Sequence, residues 1–188
     1  MKTRFNRGTT SEVSVAGPVT DSIHAKLREQ IELALKMIER LPDNLAWRPE
    51  IPQRAMDVGH LLGHLLECLS GFCAVFYAAF PKHMAHVIAL KELPVNHLCG
   101  QDEALQRFPE YAAHIAEGFA ICRDEDLARL IPSVFVPQGE TLITLLLGNL
   151  EHFINHKYQL FFYLKSMEIP VATRDLYRFR NDTAEQGT

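Results

Sequence analysis

His152 and His156 stand four residues apart in the segment Thr141 to Met167. At helical pitch that spacing puts both imidazoles on one face with Cβ atoms about 5–6 Å apart, close enough to share one ion. They fall on a stripe made by Leu145, Asn149, His152, His156, Gln159 and Tyr163, where polar groups recur along an otherwise apolar helix. Two imidazoles do not complete a metal site, so a third ligand must come from another element. His64 is the leading candidate. Leu61, Leu65 and Cys68 flank it at helical spacing, which turns it inward, where an imidazole needs a partner or a metal.

Other residues compete for a place in this site. His60 lies four residues before His64, so the ligand from that helix is His64, His60 or both. With Asp57 as the helix cap, however, His60 takes the third helical position, where a capping-box side chain reaches back to the helix start. It is read as a helix-start residue. Cys68, one turn after His64, could supply a thiolate, but such a cysteine is more often a small hydrophobe. Glu67, Glu151, Gln159 and Tyr163 are placed by helical position to support the ligands. His83, His86, His97 and His114 lack comparable partners and are expected to face solvent, as is His24 on the polar side of the first helix. Arg174, Arg178 and Arg180 are expected to form a basic, solvated tail.

The pattern excludes two familiar metal sites. Phe153 occupies the place where a zincin protease carries its glutamate base, so H-E-x-x-H is not formed. A ferritin-like di-iron site needs Glu-x-x-His units on two helices. Here His64 precedes Glu67, and helix four offers only Glu151 beside His152. Three neutral imidazoles instead leave a coordination position for water or substrate. An ion held this way brings a bound water toward a pKa of about 7, or deprotonates a bound thiol.

The elements that must carry these residues are helices. Ile23, Leu27, Ile31, Leu35, Ile38 and Leu41 recur at steps of four and three, predicting a helix capped by Thr20 or Asp21 and ending at Pro42. Pro42, Pro49 and Pro52 punctuate a crossover loop running to Gln53, with Trp47 as its apolar anchor. A second helix runs from Asp57 to Pro81 and is apolar nearly all round, so it is central. Leu105, Phe108, Ala112, Ile115, Phe119 and Cys122 mark a third, in which Pro109 belongs to a first turn or a kink. The run IPSVFVP between Asp124 and Gly139 reads as extended or as a small hairpin, and helix four covers Thr141 to Met167. The expected fold is all-α: a four-helix bundle with a long crossover connection.

Composition narrows the partners. The 188 residues carry 19 Lys and Arg against 23 Asp and Glu, a net charge of -4 with no basic block, so nucleic acid is not expected as a partner. The four cysteines form no CxxC pair or framework spacing, and the amino terminus has no continuous apolar run, which together predict a reduced, cytoplasmic protein. The apolar stretches are broken by His, Gly, Glu or Asn, so no membrane span is expected. Division falls at 1–19 for an amino-terminal tail, 20–171 for one domain and 172–188 for a carboxyl-terminal tail.

Taken together, these residues resemble the DinB/YfiT-like superfamily over Thr20 to about Val171. In WRPEIPQRAMDVGHLLGHLLECLSGF, a Trp-Arg-Pro followed by a helix cap and an inward histidine is similar to the family's first ligand region and places His64 on a metal ligand. In LEHFINHKYQLFFYLKSMEIPV, H-x-x-x-H with Gln three residues on resembles the second and places His152 and His156 on the others. Two departures stand out. Asp57 and His60 replace the Ser-x-x-Glu that often opens helix two, and His156, Lys157, Tyr158 and Gln159 replace a His-Arg-Gly-Gln. Tyr158 is expected to set a bulky ring beside the site.

The resemblance implies a four-helix bundle, a three-histidine site for zinc or nickel, and a homodimer. It also implies metal-dependent transfer to a low-molecular-weight thiol, or hydrolysis of a small-molecule substrate. The competing expectation is a non-enzymatic stress-response module in which the metal stabilises the bundle or senses a ligand.

Overall fold

Asp57 starts the helix that organises the molecule. Its carboxylate accepts the His60 backbone N–H at 2.8 Å, and helix α2 runs from there over Val58–Ala79. Leu61, Leu62, Leu65, Leu66, Leu69, Phe72 and Phe76 on it are all wholly buried. Each contributes about 1.5–3 kcal/mol by leaving water. Among the described residues α2 alone is long and apolar enough to cross a membrane, a length and composition the sequence reading did not credit to it; its leucines and phenylalanines lie in the protein's own core.

The computed structural model describes residues 16–50, 55–132 and 136–178. It is mostly helical. Around α2 stand α1 (Pro18–Ile38), α3 (Gln101–Ile121) and α4 (Leu142–Ser166). Helices α1 and α2 each pack against both α3 and α4, so α3 and α4 lie diagonally across the core, where Phe108 and Phe153 approach with ring centroids 6.3 Å apart. Short 3-10 helices at Ala85–Glu92, Asp124–Ala128 and Thr173–Asp175 fill the connections. Strands β1 (Leu130–Ile131) and β2 (Glu140–Thr141) pair antiparallel, Leu130 with Thr141 and Ile131 with Glu140. The hairpin expected from IPSVFVP therefore forms, but its ladder lies at the flanks of that run; Ser133, Val134 and Phe135 fall outside the described residues.

Three expectations change. Helix α1 begins earlier than Thr20: Gly17 is the cap and offers no side chain, and Pro18 opens the first turn. Its free N–H groups are met from elsewhere, because Asp124 accepts from Thr20 N and Thr20 Oγ1, each at 2.8 Å, and from Val19 N at 3.2 Å. Pro109 sits in the interior of α3 rather than in its first turn, where, lacking an N–H, it removes a donor from the helix ladder. The carboxyl segment is docked rather than solvated. Asp175 pairs with Arg40 at 2.9 Å, Arg178 bonds Glu32, and the buried Lys157 ammonium donates to the Leu176 carbonyl at 2.6 Å. Packing thus extends past Val171 to at least Arg178, while Arg180, like Pro52 and Gln53 of the crossover loop, lies outside the described residues.

The crossover between α1 and α2 carries its anchor as expected. Trp47 packs against the core and meets Tyr163 edge to face, 5.3 Å between ring centroids.

Candidate metal centre

Helix α2 brings His64 to the face of α4 that carries His152 and His156. His64 Nε2 lies 3.2 Å from His152 Nε2 and 3.0 Å from His156 Nε2. Nitrogens bound at 2.0–2.1 Å to one tetrahedral ion stand roughly 3.3 Å apart, so His64 lies from both partners at about the spacing such an ion requires, and all three ligand atoms fall within 4.8 Å of one another. The ring planes are inclined at 68–87° to one another, so no two of the rings stack.

The outer nitrogens fix which proton each ring holds. His64 Nδ1 lies 2.7 Å from Glu67 Oε2, and a carboxylate only accepts, so Nδ1 carries the proton. Asn96 Oδ1 stands on the same nitrogen at 3.3 Å. On α4, Tyr163 Oη donates to the Met56 carbonyl at 2.7 Å and therefore accepts from Gln159 Nε2 at 2.8 Å. That turns Gln159 Oε1 toward His156 Nδ1, 3.0 Å away, which makes Nδ1 the donor there too. His156 thus turns its Nε2 lone pair to the centre, where His64 and His152 bring their own Nε2 atoms; a divalent ion fits this donor set.

Burial favours the neutral form of His156. His156 is half-buried and its pKa lies below the ordinary imidazole value, chiefly through desolvation; the bond from Gln159 opposes this, and His64 and His152 add to it. His152 is exposed, so the centre opens to solvent on one side.

His60 and Cys68 fall outside this cluster. The His60 ring turns back onto its own helix cap, with Nδ1 at 2.8 and 2.9 Å from the two Asp57 carboxylate oxygens. Cys68 is 2% exposed and faces the core, where burial pushes its thiol up to about 12. Glu67, Gln159 and Tyr163 take supporting positions, whereas Glu151 faces outward. Tyr158 does not lean over the site: half-exposed, it packs its ring on Phe161 and Phe162. Of the histidines expected to face solvent, His83 and His86 do so. His97 and His114 are half-buried, and His24 stacks on Phe119 with ring centroids 4.6 Å apart.

Asn96 and the Met56 carbonyl are the contributors that sequence reading missed. Asn96 adopts φ 56°, a left-handed conformation that asparagine tolerates, and its N–H donates to the Gly63 carbonyl at 2.8 Å. This turn can press on α2 only because residue 63 is glycine: a Cβ there would sit 2.1 Å from the His97 carbonyl oxygen. The signal available was Pro94 and Asn96 as turn residues together with a glycine beside His64.

No protein-family model matches the chain, and no curated protein matches it in sequence.

Proposed function

We propose that this chain is a four-helix-bundle protein of the DinB/YfiT-like kind that holds zinc or nickel between His64, His152 and His156. We further propose that it acts as a metal-dependent enzyme on a small molecule, by transfer to a low-molecular-weight thiol or by hydrolysis. The observation that carries this reading is the meeting of three Nε2 atoms, His64 within 3.2 Å of both partners, with Nδ1 protons pinned outward on His64 and His156. An ion bound there supplies Lewis acidity and activates a coordinated water or thiol. His64 and His156 hold and orient the ion, and the exposed His152 leaves a side from which a small molecule can approach. Glu67 and Gln159 keep the rings in the ligating tautomer.

Elemental analysis of untagged protein tests the site. Wild type and His60→Ala should retain metal, and His64→Ala should lose it; equal occupancy in wild type and His64→Ala refutes the assignment. Cobalt-substituted protein then tests for an open position. Adding 2-mercaptoethanol should produce a thiolate-to-cobalt charge-transfer band, and an unchanged spectrum would mark the site as closed and structural.

A further inference from the structure

Two further groups of ligand-type side chains occur among the described residues. In the first, His97, Cys99 and Glu103, the carboxylate is already held by Arg107 at 2.7 Å, and a guanidinium in that place repels a cation. The second is His86, His114 and Glu117, and among the described residues no Lys or Arg is paired with Glu117. His114 and Glu117 lie one turn apart on α3, and His86 comes from the 3-10 helix Ala85–Glu92.

Glu117 joins the two rings. One of its oxygens stands 2.7 Å from His86 Nε2, and the other 3.7 Å from His114 Nδ1. The first contact is a hydrogen bond; the second is too long to be one. His114 Nδ1 is thereby buried without a hydrogen-bond partner while facing a carboxylate. A buried polar nitrogen left so is unfavourable. The two imidazole planes are inclined at 49° with centroids 5.3 Å apart, so the rings do not stack on each other.

We propose that His86, His114 and Glu117 form a second site for a borderline divalent cation such as zinc, separate from the three-histidine centre. Two imidazoles and a carboxylate are a donor set that zinc, nickel and copper accept. The donor atoms all lie within 4.8 Å of one another, and small rotations of the exposed His86 and Glu117 side chains bring them around one ion. The cation takes the lone pair of His114 Nδ1, which otherwise has no partner. It also cross-links two successive elements, the 3-10 helix Ala85–Glu92 and α3. The 3-10 helix forms one wall, through Val87, Ile88 and Leu90, of an apolar cavity of about 170 Å³ whose opposite wall includes Cys73 and Tyr77 of α2. Zinc at His86 therefore ties that wall to α3.

Zinc titration of the full, untagged chain tests the site. Wild type should bind two equivalents. His86→Ala and Glu117→Gln should each lose one and keep the other, and a His152→Ala/His156→Ala variant should also keep one, held by the second site. Amide hydrogen exchange across residues 85–92 should slow on adding zinc to the double variant and stay unchanged in His86→Ala. Wild-type binding that is unaltered by both His86→Ala and Glu117→Gln overturns the proposal, whatever becomes of the three-histidine centre. Loss of all zinc binding in His152→Ala/His156→Ala also overturns it. A wild type that binds one equivalent, lost in His86→Ala and kept in the double variant, would support this site and remove the other.

Discussion

Gln159 Oε1 stands 3.0 Å from His156 Nδ1, and the same amide donates through Nε2 to Tyr163 Oη at 2.8 Å. A three-member relay from the Met56 carbonyl through Tyr163 and Gln159 therefore decides which nitrogen of His156 is bare. It also ties the segment before α2 to α4.

Removing that support should weaken metal binding without removing a ligand. Gln159→Leu keeps the volume but leaves His156 free to place its proton on Nε2. Outer partners of ligating histidines typically contribute about 10–100-fold in metal affinity. Competition against a chromophoric chelator should show a loss in that range for Gln159→Leu and for Glu67→Leu. Affinity unchanged in both variants would mean that the relay does not act on the metal. Tyr163→Phe acts one bond further away and should lose less.

Which parts of this were legible follows from where the information lies. The i, i+4 pair on α4 is a local property of one helix, so His152 and His156 could be read from spacing, as could the four helices and the Asp57 cap. The choice of His64 over His60 leaned on the family resemblance and on a local argument, that a side chain at the third helical position turns back to the helix start, as the His60 ring does onto the Asp57 carboxylate. What spacing could not show was any partner supplied across the chain. Asp124 capping α1 at Thr20, Asn96 on His64 and Lys157 under Leu176 join residues 104, 32 and 19 positions apart. The half-buried His114 was missed for the same reason, since its neighbour His86 lies on another element.

Gly63 should be intolerant of even one methyl group. A Cβ there would meet the His97 carbonyl oxygen at 2.1 Å and its nitrogen at 2.6 Å, and backbone atoms cannot rotate away. Gly63→Ala is expected to destabilise by about 1–3 kcal/mol, the usual cost of overpacking. Because the displaced turn carries Asn96, metal affinity should fall with it. Gly148→Ala is the control: nothing lies within 4 Å of its Cβ, and alanine favours helix, so thermal stability should hold or rise.

The Asp124 cap makes stability depend on pH. Hydrogen bonds from the Thr20 backbone, and then from its hydroxyl and Val19, hold the carboxyl below its ordinary value. A group whose pKa is depressed in the folded state stabilises above its unfolded pKa, and that contribution is lost as pH falls through the folded value. Asp124→Ala should therefore lower the melting temperature at pH 7, and the gap to wild type should close on acidification below the carboxylate range. A gap of constant size from pH 7 to pH 3 would show that the charge is not what matters.

Lys157 poses a question of which cost is larger. Its side chain is 1% exposed, and burial pulls its pKa from 10.5 down to about 8. That difference corresponds to roughly 3 kcal/mol against the charged form. In return the ammonium gives one hydrogen bond to the Leu176 carbonyl at 2.6 Å. Losing the partner of a buried carbonyl costs about 1–3 kcal/mol. Lys157→Met, which fills similar space, should thus leave global stability unchanged or raised in urea denaturation at pH 7. The effect should appear instead at the carboxyl segment, which the Arg40–Asp175 and Arg178–Glu32 pairs still anchor to α1 and the turn after it. Limited proteolysis should cut within residues 172–178 faster than in wild type. A variant that is strongly destabilised yet no more readily cut there would show that Lys157 supports the core itself rather than holding this segment.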